Sequence, residues 1–372
     1  MMKCINQFLI GVGSFFLMGM AVYAGTPLWS FTPLTATTVS VPAGTTATIQ
    51  YTVTNQSSLT HTLVMRPITG VTQITTLGNC PSPFTLAFHQ SCTLTLQITG
   101  SELSGNISSG PVVCQQGSSL QCYQPSVANS LNISRLGLYG VTGDGSASQP
   151  ETLFTLDSAT GNATFLMALG NGGDGESIAS DGNNLFHLSG NNNPTVFEKI
   201  NLNNLTTTNI TLTGDLPLNE IYGSVFFKQS GSLLLTDLNN NLFNLTLNGN
   251  VTLKAAISPS ANIRGLACFN HRIFGINSSD PFLYEINPNT GVIITSHPVT
   301  LAGFTVNGGN GLTVNPSTGV FYALLNVQGS IPRKLVTIDV TTGVASLIGN
   351  ADNGSGLARF ATIAFHPADA NC

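Results

Sequence analysis

One short apolar strand returns along this chain at a nearly fixed interval, and that recurrence limits what it can fold into. Its copies are Leu138-Tyr139-Gly140-Val141, Leu185-Phe186-His187-Leu188, Leu233-Leu234-Leu235-Thr236, Ile273-Phe274-Gly275-Ile276 and Phe321-Tyr322-Ala323-Leu324, whose first residues lie 47, 48, 40 and 48 positions apart. A second strand follows each copy, as in Leu153-Phe154-Thr155-Leu156, Phe197-Glu198-Lys199-Ile200 and Leu242-Phe243-Asn244-Leu245. A further one precedes, with copies at Ser177-Ile178-Ala179, Ser224-Val225-Phe226, Gly265-Leu266-Ala267, Gly311-Leu312-Thr313 and Thr362-Ile363-Ala364. Units of about 40 to 50 residues with about four strands each cannot bury their apolar faces singly, and stacking them side by side is the pattern of propeller blades.

The preceding strand has five copies, yet the last lies at the C-terminus and the first repeat, from Leu136, has none in front of it. Ring closure resolves the mismatch. The strand Phe360 to Phe365 is expected to complete the first unit, leaving no exposed sheet edge. Residues 132–372 are therefore expected to form a five-bladed β-propeller closed by the C-terminal strand.

Before it, Ala47-Thr48-Ile49-Gln50-Tyr51-Thr52-Val53-Thr54 and Cys92-Thr93-Leu94-Thr95-Leu96-Gln97-Ile98 alternate apolar and polar residues, as strands with one face on a core and one in water do. Pro42-Ala43-Gly44 and Thr69-Gly70 supply turns. Residues 25–109 are expected to be a small immunoglobulin-like β-sandwich. Residues 110–131, rich in Gln, Ser and Pro, are expected to be a disulfide-stapled linker, and the whole mature chain is expected to be all-β.

Residues 1–24 have the grammar of a cleavable secretory signal peptide: Met1-Met2-Lys3, the uncharged apolar run Phe8 to Ala21, and Val22-Tyr23-Ala24 before Gly25. That run is short of the ~20 residues a membrane span needs. Cysteine usage agrees with export. Without Cys4 there remain Cys80, Cys92, Cys114, Cys122, Cys268 and Cys372. Local spacing favours Cys80 with Cys92 and Cys114 with Cys122, leaving Cys268 for Cys372, although six cysteines allow about fifteen pairings. Free thiols fit an even count behind a leader less well. Zinc is disfavoured because no pair has C-x-x-C spacing. Sequons such as Asn55, Asn106, Asn244 and Asn277 bear glycans only in a eukaryotic host. Charged residues are 7% of the chain and the net charge is −5, so no basic stripe offers a home to nucleic acid or an anionic membrane.

The hairpins Leu283-Tyr284-Glu285-Ile286-Asn287-Pro288-Asn289-Thr290-Gly291 and Leu335-Val336-Thr337-Ile338-Asp339-Val340-Thr341-Thr342-Gly343 resemble blades of secreted bacterial propellers of the YncE/NHL-like and quinoprotein-like kind. Cys80-Pro81 and Gln90-Ser91-Cys92-Thr93-Leu94 resemble the immunoglobulin-like modules that precede such propellers in exported proteins of Gram-negative bacteria. The resemblance implies fold and a location outside the cytoplasm: secreted, periplasmic or on the cell surface. Quinoprotein blades usually carry a tryptophan-docking motif, and the only tryptophan here is Trp29, outside the propeller. No cofactor and no metal are expected.

Gly170-Asn171-Gly172-Gly173-Asp174-Gly175 spells G-x-G-x-x-G, but phosphate cradling needs a helix directly after it and a strand follows. It reads as an inter-blade loop, matched by Val306 to Gly311 and Gly349 to Gly354. Aligning the five inner strands puts Glu176, Gly223, Arg264, Asn310 and Ala361 at one rim position. Glu176, Arg264 and Asn310 are expected to converge at the channel mouth with Asp174, Asn307 and Asp352 around them; the plainer alternative is a structural Glu176–Arg264 ion pair. Glycosidase chemistry needs two or three carboxylates at fixed separation, and the inner strands offer Glu176 and Asp181 at opposite ends. Asp237 to Asn248 mimics a calcium loop but lacks its glycine and glutamate. His187 and His271 are expected to be structural. The leading expectation is a non-enzymatic exported protein binding a glycan or protein partner on the propeller face. Its rivals are an exported hydrolase or lyase using Glu176 and Asp174, and a structural envelope protein.

Overall fold

The computed structural model describes residues 27–42, 45–191, 195–367 and 372, and the expected leader at 1–24 lies outside them. The described chain is all-β, with two single turns of 3-10 helix, Gly100–Glu102 and Val127–Asn129. No helix among the described residues is long and apolar enough to cross a membrane.

Two antiparallel sheets near the N-terminus share one core. The first has strand order Trp29–Pro33, Thr46–Asn55, Ser91–Thr99, Val71–Ile74, and the second Phe84–Leu86, His61–Met65, Val113–Gln115, Cys122–Tyr123. The alternating stretch behaves as its pattern requires. Ile49, Tyr51 and Val53 are buried against Leu63, Phe84 and Val113 of the second sheet, while Gln50 and Thr52 between them are only half-buried. Trp29 fixes the two sheets together, because its indole N–H donates to the Val113 carbonyl at 3.2 Å and leaves no buried donor unpaired. The disulfide Cys80–Cys92 ties the loop before Pro81 to the strand Ser91–Thr99. The stretch 110–131, expected as a linker, departs from that reading: Val113–Gln115 and Cys122–Tyr123 are strands of the second sheet, and Cys114–Cys122 bridges directly opposed residues. Its polar composition reflects the tight reversal at 116–121 between those strands.

From Gly137 onward the strands form five sheets. Their innermost strands are Phe360–His366, Glu176–Ser180, Ile221–Phe227, Ile263–Phe269 and Val306–Val314, and each contacts the next in a closed cycle. The C-terminal strand has the partner assigned from the repeat mismatch: Leu138 pairs with Phe365 and Gly140 with Ile363. A second-position strand such as Ser232–Asp237 is buried on both faces. Leu233 and Leu235 enter the core shared with the preceding sheet, and Leu234 enters the core shared with the following one. That is why its sequence is a continuous apolar run and does not alternate.

The recurring Asp/Asn-x-x-Thr-Gly turn joins the third and fourth strands of one sheet and packs against the sheet before it. Asp339 Oδ1 accepts the Thr341 N–H at 2.8 Å, an Asx turn that Gly343 completes at φ 77°. A Cβ on Gly343 would stand 2.2 Å from the Pro298 carbonyl oxygen of the preceding sheet, and one on Gly291 would stand 2.4 Å from that of Ala256. The motif therefore records close docking between sheets as well as a turn. At the far end of the ring from these loops' inner-strand entrances, Cys268–Cys372 ties the last residue to the strand Ile263–Phe269.

Candidate functional site

In each antiparallel sheet, the loop entering the inner strand and the loop joining the second strand to the third lie on the same side of the ring. On that side Asp174 and Glu176 come from the loop 170–175 and the strand it enters, Glu220 and Arg264 from the next two entrances, and Asp144 and Glu151 from the loop between Gly137–Thr142 and Thr152–Leu156. Gly175 allows the crowding. Its φ is 94°, and a Cβ there would stand 2.5 Å from the Ile221 nitrogen. The G-x-G-x-x-G stretch runs straight into the strand Glu176–Ser180, so no helix N-terminus is available for a phosphate.

A cavity of about 140 Å³ opens here, lined by Asp144, Asp174, Glu176, Glu220, Arg264 and Arg359 among others. At its floor Glu176, 6% exposed, faces Glu151, 5% exposed. No N–H or O–H of another described residue donates to either Glu151 oxygen, so its polar contact is the Glu176 carboxyl. Two carboxylates cannot hold that contact without a proton between them. Burial, and then the charge of Glu176, pushes Glu151 up to about 9, so Glu151 is the group that donates. Burial also pushes Glu176 up to about 7; the hydrogen bond from Glu151 and one from the Asp144 N–H at 3.4 Å pull the other way. Asp174 and Asp144 make a second carboxyl contact at the rim, and Asp174 is raised by burial and by Asp144.

The arginines around this floor differ in what they are free to do. Arg264 donates to Glu220 at 2.6 Å and lies over the Tyr222 ring with its carbon 3.8 Å from the centroid. Despite that partner the Glu220 carboxyl is raised, since burial, with Asp174 adding to it, outweighs the arginine. Arg333 is buried; it donates to Asn326 at 2.8 Å and to the Phe360 carbonyl. Burial, then the charge of Arg359, lowers it to about 9. Arg359 is exposed, makes no ion pair among the described residues, and lines both this cavity and a neighbouring one of about 340 Å³.

Of the residues expected at the mouth, Glu176, Asp174, Arg264 and Ala361 meet in one cavity. Asn307 lines the neighbouring one with Arg333 and Arg359. Asn310 is buried and supports them: its side-chain oxygen accepts from Asn326 at 2.9 Å, which in turn accepts from Arg333. Gly223 is inside the ring wall, where Thr236 Oγ1 accepts its N–H at 3.0 Å. Asp352 is not at the mouth: its carboxylate accepts the Gly354 and Gly356 N–H groups at 3.0 and 2.8 Å and closes its own loop. The Glu176–Arg264 ion pair is likewise not formed; Arg264 pairs instead with Glu220. Asp144, Glu151, Glu220, Arg333 and Arg359 were not foreseen. Aligning only the inner-strand entrances overlooks the loops between second and third strands, which share their side of the ring and carry three of the five.

Behind Glu151 lies a second buried pair. His187 Nδ1 is 2.9 Å from Glu198 Oε1, which also accepts the Gly170 N–H at 2.9 Å. Burial opposes ionisation of Glu198, but the bonds from His187 and Gly170 win and hold it low, leaving a fixed negative charge that adds to the elevation of Glu151. Asp237 Oδ1 accepts the Asn239 and Asn241 N–H groups at 3.1 and 2.9 Å and closes a hairpin turn between two paired strands, so the stretch resembling a calcium loop is a turn.

No family model matches the chain, and no curated protein matches it. Among solved structures it is similar to the glutaminyl cyclase of Myxococcus xanthus (19% identity over 50% of this chain and 83% of that one, TM-score 0.37). It is also similar to a chain of a nidogen/laminin complex (11%, 62% and 98%, TM-score 0.41) and to a protein of unknown function from Bacteroides caccae (11%, 62% and 98%, TM-score 0.42).

Proposed function

We propose that this is an exported protein, an immunoglobulin-like sandwich followed by a five-bladed β-propeller, and that the ring-mouth cavity transfers protons to and from a small polar molecule through Glu176. The contact between Glu151 and Glu176 carries the reading. A carboxyl near pH 7 can both give and take a proton under physiological conditions, which one in water, at about 4.3, does poorly. The cavity supplies access to Glu176, and Glu151 behind it supplies a hydrogen bond from within the protein. The pair is too close to flank a glycosidic bond, for which carboxyl groups stand at least about 5 Å apart, so a hydrolytic glycosidase pairing of these two is disfavoured.

Binding without turnover is the second reading. It is favoured by Arg264, held over the Tyr222 ring and paired with Glu220, a prearranged cationic surface that needs no chemistry to recognise a ligand. The test is a panel of lactones, amides and esters of small polar acids assayed from pH 5 to 9 with wild type and Glu176→Gln. Turnover that follows the ionisation of a group near pH 7 and disappears in Glu176→Gln supports proton transfer. Turnover unchanged in the variant, or none across the panel with ligand binding intact, rejects it in favour of binding.

A further inference from the structure

We infer that the neighbouring cavity of about 340 Å³ is a binding site for a small organic oxyanion, whose carboxylate or phosphate group is held by Arg333 and Arg359. The site goes beyond proton transfer at Glu176 and does not depend on it. Arg333 is 8% exposed and lines this cavity. Of the five N–H donors of its guanidinium, two have protein acceptors among the described residues: Nε donates to Asn326 at 2.8 Å, and Nη1 donates to the Phe360 carbonyl. Both acceptors are neutral. No carboxylate oxygen of the described residues comes within 4.0 Å of the Arg333 or the Arg359 guanidinium. A buried cation without a counter-charge is costly, and a second cation beside it adds to the cost. Burial and then the charge of Arg359 lower Arg333, and Glu176 opposes this from beyond ion-pair distance.

The two arginines are held ready for a ligand. Arg333 directly precedes the strand Lys334–Ile338, and Arg359 directly precedes Phe360–His366. The Arg333 carbonyl accepts the Ala351 N–H at 2.9 Å. Arg359 donates its own N–H to Ser146 Oγ at 3.1 Å and accepts the Gly143 N–H at 3.0 Å, so its backbone is fixed while its side chain is left free. Behind Arg333, the Asn326 amide nitrogen donates to Asn310 at 2.9 Å, which turns its oxygen toward the guanidinium. The cavity itself is lined by no Asp or Glu, unlike the acidic one beside it. Asn307 is exposed on it and its side-chain amide makes no hydrogen bond among the described residues, which leaves a further donor for an oxyanion. Paired guanidiniums suit carboxylate and phosphate alike, since each matches two oxygens with parallel N–H bonds. Ile331 and Pro332 give the cavity an apolar flank. Its volume lies in the range of small-molecule sites, ~300 to 1,000 Å³, so the anion has room for a carbon body along that flank.

The experiment follows the Nε–H nitrogen-15 resonances of the arginines in the full mature chain, at pH 7 and constant ionic strength. The probes are butyrate, butyramide, n-butyl phosphate and inorganic phosphate. Butyrate or butyl phosphate is expected to shift Arg333 and Arg359 saturably while Arg66, Arg135 and Arg272 stay in place. The tighter of the two tells a carboxylate from a phosphate head. Butyramide, the uncharged counterpart of butyrate, is expected to move neither arginine. Inorganic phosphate, without a carbon body, is expected to bind about tenfold more weakly than butyl phosphate. Arg359→Gln, at an exposed position that does not endanger folding, should weaken the tighter probe about tenfold or more. Arg333→Lys keeps the charge without the fork and should weaken it as well; if that variant does not fold, Arg359→Gln decides alone. Shifts by butyramide equal to those by butyrate overturn the inference. So do shifts that grow without saturating and spread over every arginine, inorganic phosphate binding as tightly as butyl phosphate, or unchanged affinity in Arg359→Gln. Silence from Arg333 and Arg359 at about 10 mM of each anion, in a chain folded by circular dichroism, overturns it too. Turnover lost in Glu176→Gln is read separately, so this site and proton transfer at Glu176 stand or fall independently.

Discussion

Glu151 meets Glu176 carboxyl to carboxyl, and in a chain with 7% charged residues two acids have been brought into the interior where water could have kept them apart. Such a contact makes the folded state bind protons more tightly than the unfolded chain. The stability this contributes is fully present below the unfolded value of about 4.5 and is lost as pH rises through about 7 and then about 9. The melting temperature is therefore expected to fall between pH 5 and pH 9. Glu151→Gln keeps a donor toward Glu176 without the ionisable proton, and should flatten that fall and raise the melting temperature at pH 8.5 on the order of 2 °C or more. Thermal melts at five pH values decide it, and parallel curves for the two proteins would count against the shared proton.

The same contact predicts the ionisation of Glu176 itself. Burial raises it while the Glu151 hydrogen bond lowers it, so removing the donor must raise it further. Glu151→Leu is expected to move the Glu176 carbon-13 carboxyl titration above its wild-type midpoint near 7, whereas Glu151→Gln leaves the midpoint close to it. A midpoint that falls in Glu151→Leu would mean that Glu151 acts on Glu176 as a charge and not as a donor.

Gly343 and Gly329 separate two reasons for a glycine. Both have φ 77°, but a Cβ on Gly343 meets the Pro298 carbonyl oxygen at 2.2 Å while one on Gly329 meets nothing within 4 Å. Gly329→Ala should cost about 1 kcal/mol, the left-handed backbone term alone. Gly343→Ala adds displacement of one sheet from the next and should cost about 2 kcal/mol or more. Urea melts of the two variants measure the difference. Equal losses would show that the turn, and not docking between sheets, fixes this residue.

Much of this architecture was legible because it is written in local pattern. Alternation in Ala47 to Thr54, continuous apolar runs such as Leu233 to Leu235, and the Asx turn ending in Gly343 each impose a local geometry that neighbouring chain cannot override. The missing strand before Leu136 was enough to pair the C-terminal strand with Gly137–Thr142. The site was legible only in part, because it is assembled from loops whose meeting depends on ring geometry. Glu176 and Asp174 were visible from the alignment of inner strands. Glu151 sits seven residues after Asp144 in an unpatterned loop, and only the meander places that loop on the same side of the ring. Asp352 misled because an Asx-like loop closure and a ligand-facing carboxylate have the same sequence appearance.

Closure of the ring offers the last test. The strand Phe360–His366 covers one edge of Gly137–Thr142, places Phe360 against Phe154 at 5.2 Å between ring centroids, and supplies inner-wall contacts to the strands on both sides. Cys268–Cys372 adds a covalent tie across 104 residues of sequence, for which loop-closure entropy gives about 4.7 kcal/mol. Cys372→Ser should therefore lower stability by several kcal/mol yet leave a closed ring, because strand pairing with Gly137–Thr142 persists without it. Removing residues 360–372 takes away both and leaves an unpaired edge beside an uncovered Phe154. That protein is expected to bind a hydrophobic dye and to be cut by protease within 132–359, while the N-terminal sheets, which have their own core around Trp29 and Leu94, resist. A truncated chain as protease-resistant as wild type would show that the first sheet stands without its fourth strand, and that the ring is held by docking between sheets alone.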